Sequence, residues 1–399
     1  MKVSTKLFQK NAFIYLEGKN NGRHFYIVKT GQIKIKRKNP ILGDTEEIKG
    51  NGYIFGIIQS LTGIADDEVV QAVTDCEVFV ISKDKIDELY TEHPKVILKI
   101  LSEYSEILRR LDKDLIRYEF FSVYADRKEK IFDIVDKYIS IKEEKKASHL
   151  LKISELEFKN DPVNLEKYKS VMEKLPSVEV FTTDQIITER KFPPQSVIFT
   201  EFETGDTFFI IKKGKVKITK LKHDKEMLLA ILSEGDIFGE MGILNDKPRS
   251  ATAVAEVETN VMIINKKGID KLPPTLFVKI LEFLSKRIWF VQQQLICFKI
   301  PVPTAKLYYL LASKIKQVIP DPKKEFDKSF TFKFPIEELY QMLDFDKKTK
   351  DDIEDFLNDK NVELYPDSIR IRNIGELFDK YFYNYSRALY VYNGMVDKS

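Results

Sequence analysis

Residues 235–255 read GDIFGEMGILNDKPRSATAVA, and the rest of the chain is interpreted outward from this stretch. Short apolar runs bounded by glycines precede it, and another apolar run follows it at 261–264. This arrangement predicts a short helix and a loop that interrupt a region of β-strands. Gly239 and Gly242 carry no Cβ, so the main chain can approach a ligand closely at both positions.

Three side chains of the stretch have complementary chemistry. Glu240 has a carboxylate that only accepts hydrogen bonds, which suits a sugar hydroxyl. Arg249 presents a planar fork of donors, which suits a phosphate, and Ser250 adds a hydroxyl beside it. A helical turn over 239–244 would also present free N–H groups and a partial positive charge to an anion. Together they predict a ribose-phosphate site; the alternative is a solvated glutamate and arginine in a surface loop.

The segments Phe238-Gly239-Glu240 and Arg249-Ser250-Ala251 resemble the phosphate-binding cassette of cyclic-nucleotide-binding domains. Such domains occur in protein kinase A regulatory subunits, nucleotide-gated channels and catabolite-activator-type transcription factors. The resemblance implies that the glutamate holds the ribose 2′-hydroxyl and that the arginine pairs with the cyclic phosphate. It implies cAMP as the regulatory ligand, and cGMP stays open because a serine hydroxyl can also serve a guanine. The predicted ligand-binding residues are Phe238, Gly239, Glu240, Met241, Gly242, Arg249, Ser250 and Ala251.

Composition narrows the class of protein. The chain has 399 residues, 43% of them apolar, which is enough for two to four domains with sizeable cores. Its apolar runs are too short to cross a bilayer, and the first residues do not form a signal sequence, so we expect a cytoplasmic protein without membrane partners. Two cysteines and four histidines predict neither a disulfide framework nor a metal site. A net charge of +3 is not that of a strongly basic nucleic-acid binder.

An internal repeat is visible when the sequence is shifted by 183 residues. The glycines and apolar residues that coincide are Gly22 with Gly205, Phe25 with Phe208, Gly31 with Gly214, Gly52 with Gly235, Phe55 with Phe238, Gly56 with Gly239, and Val80-Ile81 with Ile263-Ile264. Turns and strand interiors are therefore predicted to be shared. The copy near the N-terminus is called the first repeat, and the copy that contains the cassette is called the second repeat.

The two repeats differ where the predicted chemistry lies. Ile57 aligns with Glu240, Asp66 with Arg249, and Asp67 with Ser250. The first repeat thus lacks both the ribose acceptor and the phosphate donor, and Asp66, Asp67 and Glu68 place negative charge where a phosphate would bind. Like charges at close range oppose binding. The first repeat is therefore predicted to be a packing or dimer-contact domain, and the alternative is a domain for a different, cationic ligand.

The whole pattern predicts an α+β fold with two cyclic-nucleotide-binding β-barrel (jelly-roll) domains, flanking helices and a C-terminal winged-helix-like domain. The predicted domains are residues 1–119, a charged helical linker at 120–176 that consists of exposed helices, 177–300, and 301–399. The helix at 274–298 has apolar residues at alternating three- and four-residue steps. That spacing fits a homodimer seam or packing onto the helix's own barrel: Leu281, Leu284, Ile288, Val291 and Leu295.

The tail reads as helix, turn, helix and hairpin, which resembles the DNA-binding module of the catabolite-activator family. Its candidate recognition helix opens with Lys347, Lys348 and Thr349, the predicted contacts with duplex DNA. Asp352 stands where the family has a base-reading arginine, and the nearby carboxylates oppose DNA phosphates.

The sequence thus predicts a non-enzymatic cyclic-nucleotide sensor. In the first alternative it is a catabolite-activator-like transcription regulator whose second repeat binds the ligand and repositions the C-terminal domain. In the second alternative it is a cyclic-nucleotide-responsive regulator that acts through a protein partner without binding DNA.

Overall fold

The computed structural model describes residues 4–15, 23–64, 68–115, 127–183, 185–222, 225–240, 248–343, 345 and 352–396. The chain divides into two compact units. The first unit consists of Met1–Tyr104 and Pro273–Ser399, and the second unit consists of Ser105–Leu272. The first repeat therefore lies in one unit, and the second repeat lies in the other.

The first repeat is built from two antiparallel sheets. Its described strands and helix are β1 (Ser4–Phe8), β2 (Phe13–Tyr15), β3 (His24–Thr30), β4 (Ile33–Arg37), β5 (Thr45–Lys49), β6 (Ile54–Phe55), α1 (Ile57–Thr62), β7 (Glu68–Ala72) and β8 (Cys76–Ser82). The sheets have the orders β1-β8-β3-β6 and β2-β7-β4-β5. Ile33 and Ile35 on β4 are buried while Lys34 between them is partly exposed, so one face of this sheet packs on the core.

The second repeat has the same topology. Its strands are β9 (Ile187–Phe192), β10 (Val197–Phe199), β11 (Thr207–Lys213), β12 (Val216–Lys222), β13 (Lys225–Leu232), β14 (Ile237–Phe238), β15 (Thr252–Ala255) and β16 (Thr259–Asn265). They form sheets of order β14-β11-β16-β9 and β10-β15-β12-β13, which match the two sheets of the first repeat strand for strand. The antiparallel sheets predicted for both repeats are therefore present.

The shared glycines show why the repeats coincide. Gly31 and Gly214 have φ angles of 96° and 106°, in the left-handed region that favours glycine. A Cβ would lie 2.4 Å from the Asp75 carbonyl oxygen in the first repeat and 2.6 Å from the Glu258 carbonyl oxygen in the second. The same tight turn against the same main chain is thus required in both repeats.

The segment between the repeats forms helices. After α2 (Ile86–Glu92) and α3 (Pro94–Leu115), the chain forms α4 (Arg127–Ser140), α5 (Glu144–Ile153), α6 (Glu155–Phe158) and α7 (Pro162–Met172). Helices α4 to α7 share an apolar core that also includes Leu221 of β12 and, at its edge, Phe202. The prediction of exposed helices was wrong, because one face of these helices is covered by the second repeat. The apolar spacing at Ile131, Ile134, Val135 and Tyr138 marks that covered face.

The long helix α8 (Pro274–Lys299) belongs to the first unit and packs against α1 and α2 of the first repeat. The Phe277 ring stacks on Tyr90 with centroids 4.5 Å apart, and the Tyr104 hydroxyl bonds the buried Ser285 hydroxyl at 2.8 Å. The five apolar residues of the predicted seam are all buried: Leu281, Leu284, Ile288, Val291 and Leu295. Packing within the chain therefore accounts for the apolar stripe, and a homodimer through 274–298 stays a prediction.

The tail continues the first unit. It contains α9 (Pro303–Val318), β17 (Phe330–Phe332), α10 (Ile336–Met342), α11 (Glu354–Leu357), β18 (Val362–Tyr365), β19 (Ser368–Ile371) and α12 (Ile374–Val396). The three strands form an antiparallel sheet of order β17-β19-β18, and α9 packs against both α8 and α12. A buried carboxylate, Asp359, joins the elements by accepting bonds from the Tyr308 hydroxyl at 2.5 Å and from Lys380.

Two features of composition can be located in the fold. Cys76 and Cys297 are both buried free thiols, one in each part of the first unit. Across the described ranges, none of the helices has both the length and the apolarity that a membrane crossing needs.

Candidate ligand-binding site

The predicted site residues that the structure describes meet at one end of the second repeat. Phe238 ends β14, Gly239 follows it with a φ of 79°, and Glu240 comes next with 3% of its surface exposed. Arg249, which is 4% exposed, returns to the same place from the other side of the loop. Ser250 and Ala251 lead into β15, whereas Met241 and Gly242 lie outside the described residues.

The Arg249 guanidinium is the centre of this arrangement. Its Nη1 donates to the Gly239 carbonyl oxygen, and its Nη2 donates to the Thr207 hydroxyl at 3.2 Å. The guanidinium carbon lies 4.4 Å from the centre of the Phe199 ring, at a distance typical of a cation–π contact. Its Nε is buried and has no hydrogen-bond partner among the described residues. Among the described residues, this donor of the fork is therefore unused.

Two glycines form the walls of the arginine site. A Cβ on Gly205 would lie 2.4 Å from Nη2 of Arg249, and a Cβ on Gly239 would lie 2.9 Å from Nη1. Any other residue at either position would have to displace the guanidinium, because real Cβ contacts are not this short. The glycines thus let two segments of main chain enclose a cation that the fold buries.

The charges around Arg249 keep it a cation. Burial lowers the pKa of its guanidinium, and the carboxylates of Glu203, Glu240 and Asp206 oppose that shift in this order. An arginine does not lose its proton in proteins, so the buried group is positively charged. A buried cation is costly without a compensating partner. The site is accordingly suited to receive an anion, and Glu240 beside it can accept a hydroxyl.

The segment 200–207 was missed in the sequence. Glu203 and Phe202 exchange main-chain bonds with Arg249: Arg249 N donates to Glu203 O at 2.8 Å, and Phe202 N donates to Arg249 O at 2.9 Å. Thr207 contributes the hydroxyl that binds the guanidinium. The coincidence of Gly22 with Gly205 was a signal for this segment, but it indicated a shared turn and did not indicate that the turn touches the arginine.

The first repeat also has an aromatic ring beside its glycine. Gly56, the counterpart of Gly239, has a φ of 71°, and a Cβ there would lie 3.1 Å from the Tyr15 ring. Tyr15 holds the same place in its sheet as Phe199 does in the second repeat, where Phe199 likewise lies beside the glycine. The second repeat has the Arg249 guanidinium there in addition.

The predicted acidic cluster of the first repeat is only partly described. Asp66 and Asp67 lie outside the described residues. Glu68 pairs with Arg37 on the neighbouring strand, where Nε donates to Oε1 at 2.8 Å. Its charge is therefore balanced within the sheet and is not available to repel or to attract a ligand.

The predicted DNA contacts Lys347, Lys348 and Thr349 also lie outside the described residues. Just beyond them, the Asp352 carbonyl oxygen accepts a bond from the Thr304 hydroxyl at 2.9 Å, and Ile353 and Phe356 are buried. In the hairpin, Arg372 binds Glu363 at 2.6 Å and Arg370 lies 3.7 Å from the same carboxylate. The two arginines thus share one carboxylate, which balances one of their two positive charges.

Comparison with known proteins identifies both repeats. Residues 5–93 and 189–273 match the family model of the cyclic nucleotide-binding domain. The cAMP-dependent protein kinase regulatory subunit of Yarrowia lipolytica is 32% identical over 102 residues, which is 26% of this chain and 27% of that protein. Human cGMP-dependent protein kinase 2 is 35% identical over 89 residues, which is 22% of this chain and 12% of that protein. The matched region thus spans about a quarter or less of these relatives.

A solved structure, the catabolite activator protein of Thermus thermophilus, is 22% identical, with a TM-score of 0.26 over 49% of this chain and 91% of that chain. A TM-score this low supports no conclusion about function. Among the described residues, no group of histidine, cysteine, aspartate or glutamate side chains is arranged to hold a metal ion. The sheets, the glycines and the family match agree, and residues 5–93 and 189–273 are two cyclic nucleotide-binding domains.

Proposed function

We propose that the second repeat binds a cyclic nucleotide and that the chain is a regulatory protein controlled by this ligand. One observation carries the proposal. Arg249 is a buried cation enclosed by Gly205 and Gly239, and it has an unpartnered Nε among the described residues. A cyclic phosphate is a compact anion that can accept bonds from such a fork, and Glu240 is placed beside the arginine to accept a ribose hydroxyl.

The base of the nucleotide is proposed to be adenine. The relatives include both a cAMP-dependent and a cGMP-dependent kinase protein, so their names support either nucleotide. Ser250 after the arginine is compatible with both. We therefore propose cAMP as the first ligand to test and cGMP as the competitor in the same titration.

The output of the sensor is proposed to be a protein partner. The curated relatives include regulatory subunits of protein kinases, which favours a regulator that acts on another protein. The Glu363 carboxylate beside Arg370 and Arg372 in the hairpin points the same way, because it lowers the positive charge that a DNA phosphate would meet there.

Duplex DNA is the second candidate partner. The order of elements in the tail favours it, since α10, α11 and the hairpin β18–β19 follow one another as in a helix-turn-helix with a wing. Salt-dependent retention on random duplex DNA, measured with and without the nucleotide, separates the candidates. Retention that falls steeply with salt supports DNA, and no retention at low salt supports the protein partner.

Calorimetric titration of the full chain with cAMP and with cGMP tests the ligand. We expect binding at one site. Arg249→Gln should weaken binding by about 100-fold or more, because bonds to a charged group contribute about 1.5–3 kcal/mol each and 1.4 kcal/mol corresponds to a factor of ten.

Arg190→Gln is the matched control. Arg190 lies in the same repeat, on β9, and its guanidinium packs over the Phe181 ring at 4.3 Å, away from the predicted site residues in sequence. The control should bind as the unaltered chain does. Folded protein that shows no binding of either nucleotide would overturn the proposed function, and two binding sites would mean that the first repeat is also competent.

A further inference from the structure

A buried histidine joins the linker helices to the arginine site. His149 on α5 is 2% exposed, and its Nε2 lies 3.2 Å from Oε2 of Glu203, a residue that is itself 6% exposed. The contact thus joins an imidazole nitrogen to a carboxylate oxygen, which can only accept a hydrogen bond. Both residues belong to the second unit. The pair of His149 and Glu203 is not among the predicted ligand-binding residues, and His149 lies far from them in sequence. The binding role proposed above does not use this pair.

Glu203 is held firmly by this contact and by two others. The same Oε2 accepts from the Thr200 main-chain nitrogen at 2.8 Å and from the Thr200 hydroxyl at 3.1 Å. Two donors and the imidazole thus meet at one oxygen, which defines the conformation of the segment 200–203. The imidazole is the one of these three groups that comes from outside the segment, so it connects the segment to α5.

The segment held in this way supports Arg249. Its main chain exchanges two hydrogen bonds with Arg249, through Glu203 O and Phe202 N, and Gly205 lies directly against the guanidinium. A movement of the segment by a few tenths of an ångström would therefore move the guanidinium or press a main-chain atom against it. The histidine acts on the arginine through Glu203, without touching it.

The carboxylate itself must also be kept in place. Among the described residues, Arg249 forms no ion pair, although Glu203 and Glu240 both lie close enough to favour its charged form. A Glu203 carboxylate released from His149 would be attracted to the buried guanidinium, since opposite charges interact strongly at low dielectric. Such an internal pair would compete with a phosphate for the same donors. The contact between His149 and Glu203 opposes this competition.

A second contact joins the linker helices to the strand that follows Arg249. The Tyr138 hydroxyl on α4 bonds the Thr252 hydroxyl at 2.6 Å, and Thr252 in turn accepts from Glu201 N at 2.8 Å. Thr252 begins β15 three residues after Arg249. The linker helices thus contact both the segment 200–203 and the start of β15.

We propose that His149 is a positioning residue for the phosphate site, which holds Glu203 and its segment so that Arg249 remains open to the cyclic phosphate. The proposal rests on the function proposed above. It makes α5 part of the nucleotide-binding unit, although α5 lies about a hundred residues before the arginine in sequence.

The test compares two variants of His149. His149→Leu removes the donor, and His149→Gln keeps a nitrogen donor at a similar distance from the main chain. Calorimetric titration of the full chain with cAMP and cGMP should show binding about tenfold weaker for His149→Leu and within about threefold of the unaltered chain for His149→Gln. His149→Asn, whose shorter side chain does not reach Glu203 and which leaves the carboxylate charged, provides a second route to the same loss if His149→Leu fails to fold.

Lys146→Met is the matched control. Lys146 lies one turn earlier on the same helix and binds Glu226 of β13, so it also joins α5 to the second repeat, but it does not contact the segment that supports Arg249. Both Lys146→Met and His149→Leu should lower the melting temperature. His149→Leu alone should weaken nucleotide binding.

The outcomes separate the two proposals. If the unaltered chain binds no cyclic nucleotide, the proposed function and the role of His149 both fail. If the unaltered chain binds and His149→Leu binds equally well, the role of His149 alone is overturned. Equal losses for Lys146→Met and His149→Leu would also overturn it, since they would reflect the docking of α5 in general. In an Arg249→Gln background, His149→Leu should cause no further loss of affinity.

Discussion

The two repeats share one scaffold and differ in what it encloses. Tyr26 stacks on Phe55 at 5.1 Å in the first repeat, and Phe209 stacks on Phe238 at 4.9 Å in the second, both with planes 16° apart. Beside this stack each repeat buries a third aromatic ring, and the second repeat also buries a guanidinium. A ring is satisfied by packing, whereas a buried cation requires acceptors and gains from an anion. The comparison teaches that a change at one enclosed position can separate a packing domain from a binding domain.

The neighbouring helix of the first repeat packs within the first unit. Helix α1 follows Gly56 directly, as the predicted binding loop follows Gly239, and α1 is covered by α8. Most of its side chains are buried: Ile57, Gln59, Ser60, Leu61 and Thr62. The surface that corresponds to the start of the binding loop thus serves as a platform for a helix of the same unit.

Tyr15→Ala has the largest expected effect and removes the ring that corresponds to Phe199 of the second repeat. Removing a fully buried aromatic ring leaves a cavity, and such changes destabilise proteins by about 3–5 kcal/mol. We expect a loss of this order in the free energy of unfolding of the first unit, measured by chemical denaturation, with unchanged nucleotide affinity and a single binding site. A second binding site in the titration would break the comparison, because the first repeat would then bind a ligand without an arginine at the position of Arg249.

Gly239→Ala and Gly56→Ala form a matched pair with the next largest effect. Both positions have positive φ angles, so an alanine at either should cost about 1–2 kcal/mol of stability. In the second repeat the new Cβ would also press on Nη1 of Arg249, and we expect nucleotide binding to weaken by about 10–100-fold. Gly56→Ala should leave the affinity unchanged.

Gly235→Ala controls for strain alone in the same repeat. Its φ is 89°, and a Cβ there would meet no atom within 4 Å. This variant should lose stability and keep its affinity. If it lost affinity as Gly239→Ala does, the contact with the guanidinium would not be the cause.

Tyr26→Phe has the smallest expected effect and sharpens the comparison. The substitution turns the stacked tyrosine–phenylalanine pair of the first repeat into a phenylalanine–phenylalanine pair like that of the second repeat. Burial raises the pKa of Tyr26, which indicates that its hydroxyl lies in apolar surroundings where little is lost with it. We expect a change below about 1 kcal/mol in the free energy of unfolding, measured by denaturant titration. A loss of several kcal/mol would show that the two stacks are not equivalent.

Much of the architecture could be predicted from residue spacing. Comparing the sequence with itself at a shift of 183 residues located the shared turns. In the structure, β3 and β8 lie 183 residues before β11 and β16. Glycine patterns are informative because a positive φ or a close approach excludes other residues locally. The same pattern led to Gly239, which lies against the guanidinium of Arg249.

Contacts between distant segments could not be predicted. The apolar stripes of α4 and α8 were visible, but a stripe shows which face of a helix is covered and does not show what covers it. The structure covers α4 with the second repeat and α8 with the first. His149 was only one of four scattered histidines until α5 was brought against Glu203.

The sequence by itself determined the two repeats, their shared turns and strand interiors, and the pair of a carboxylate and a guanidinium in the second one. These depend on local rules, such as alternation along a strand, glycine at a turn and charge at a loop. The tertiary structure alone decided that Arg249 is enclosed, that the Tyr15 ring takes the place that Phe199 has in the second repeat, and that the linker helices contact the segment 200–203 and the start of β15. Such outcomes depend on the packing of residues far apart in sequence, where volume and burial, and not local preference, determine the free energy.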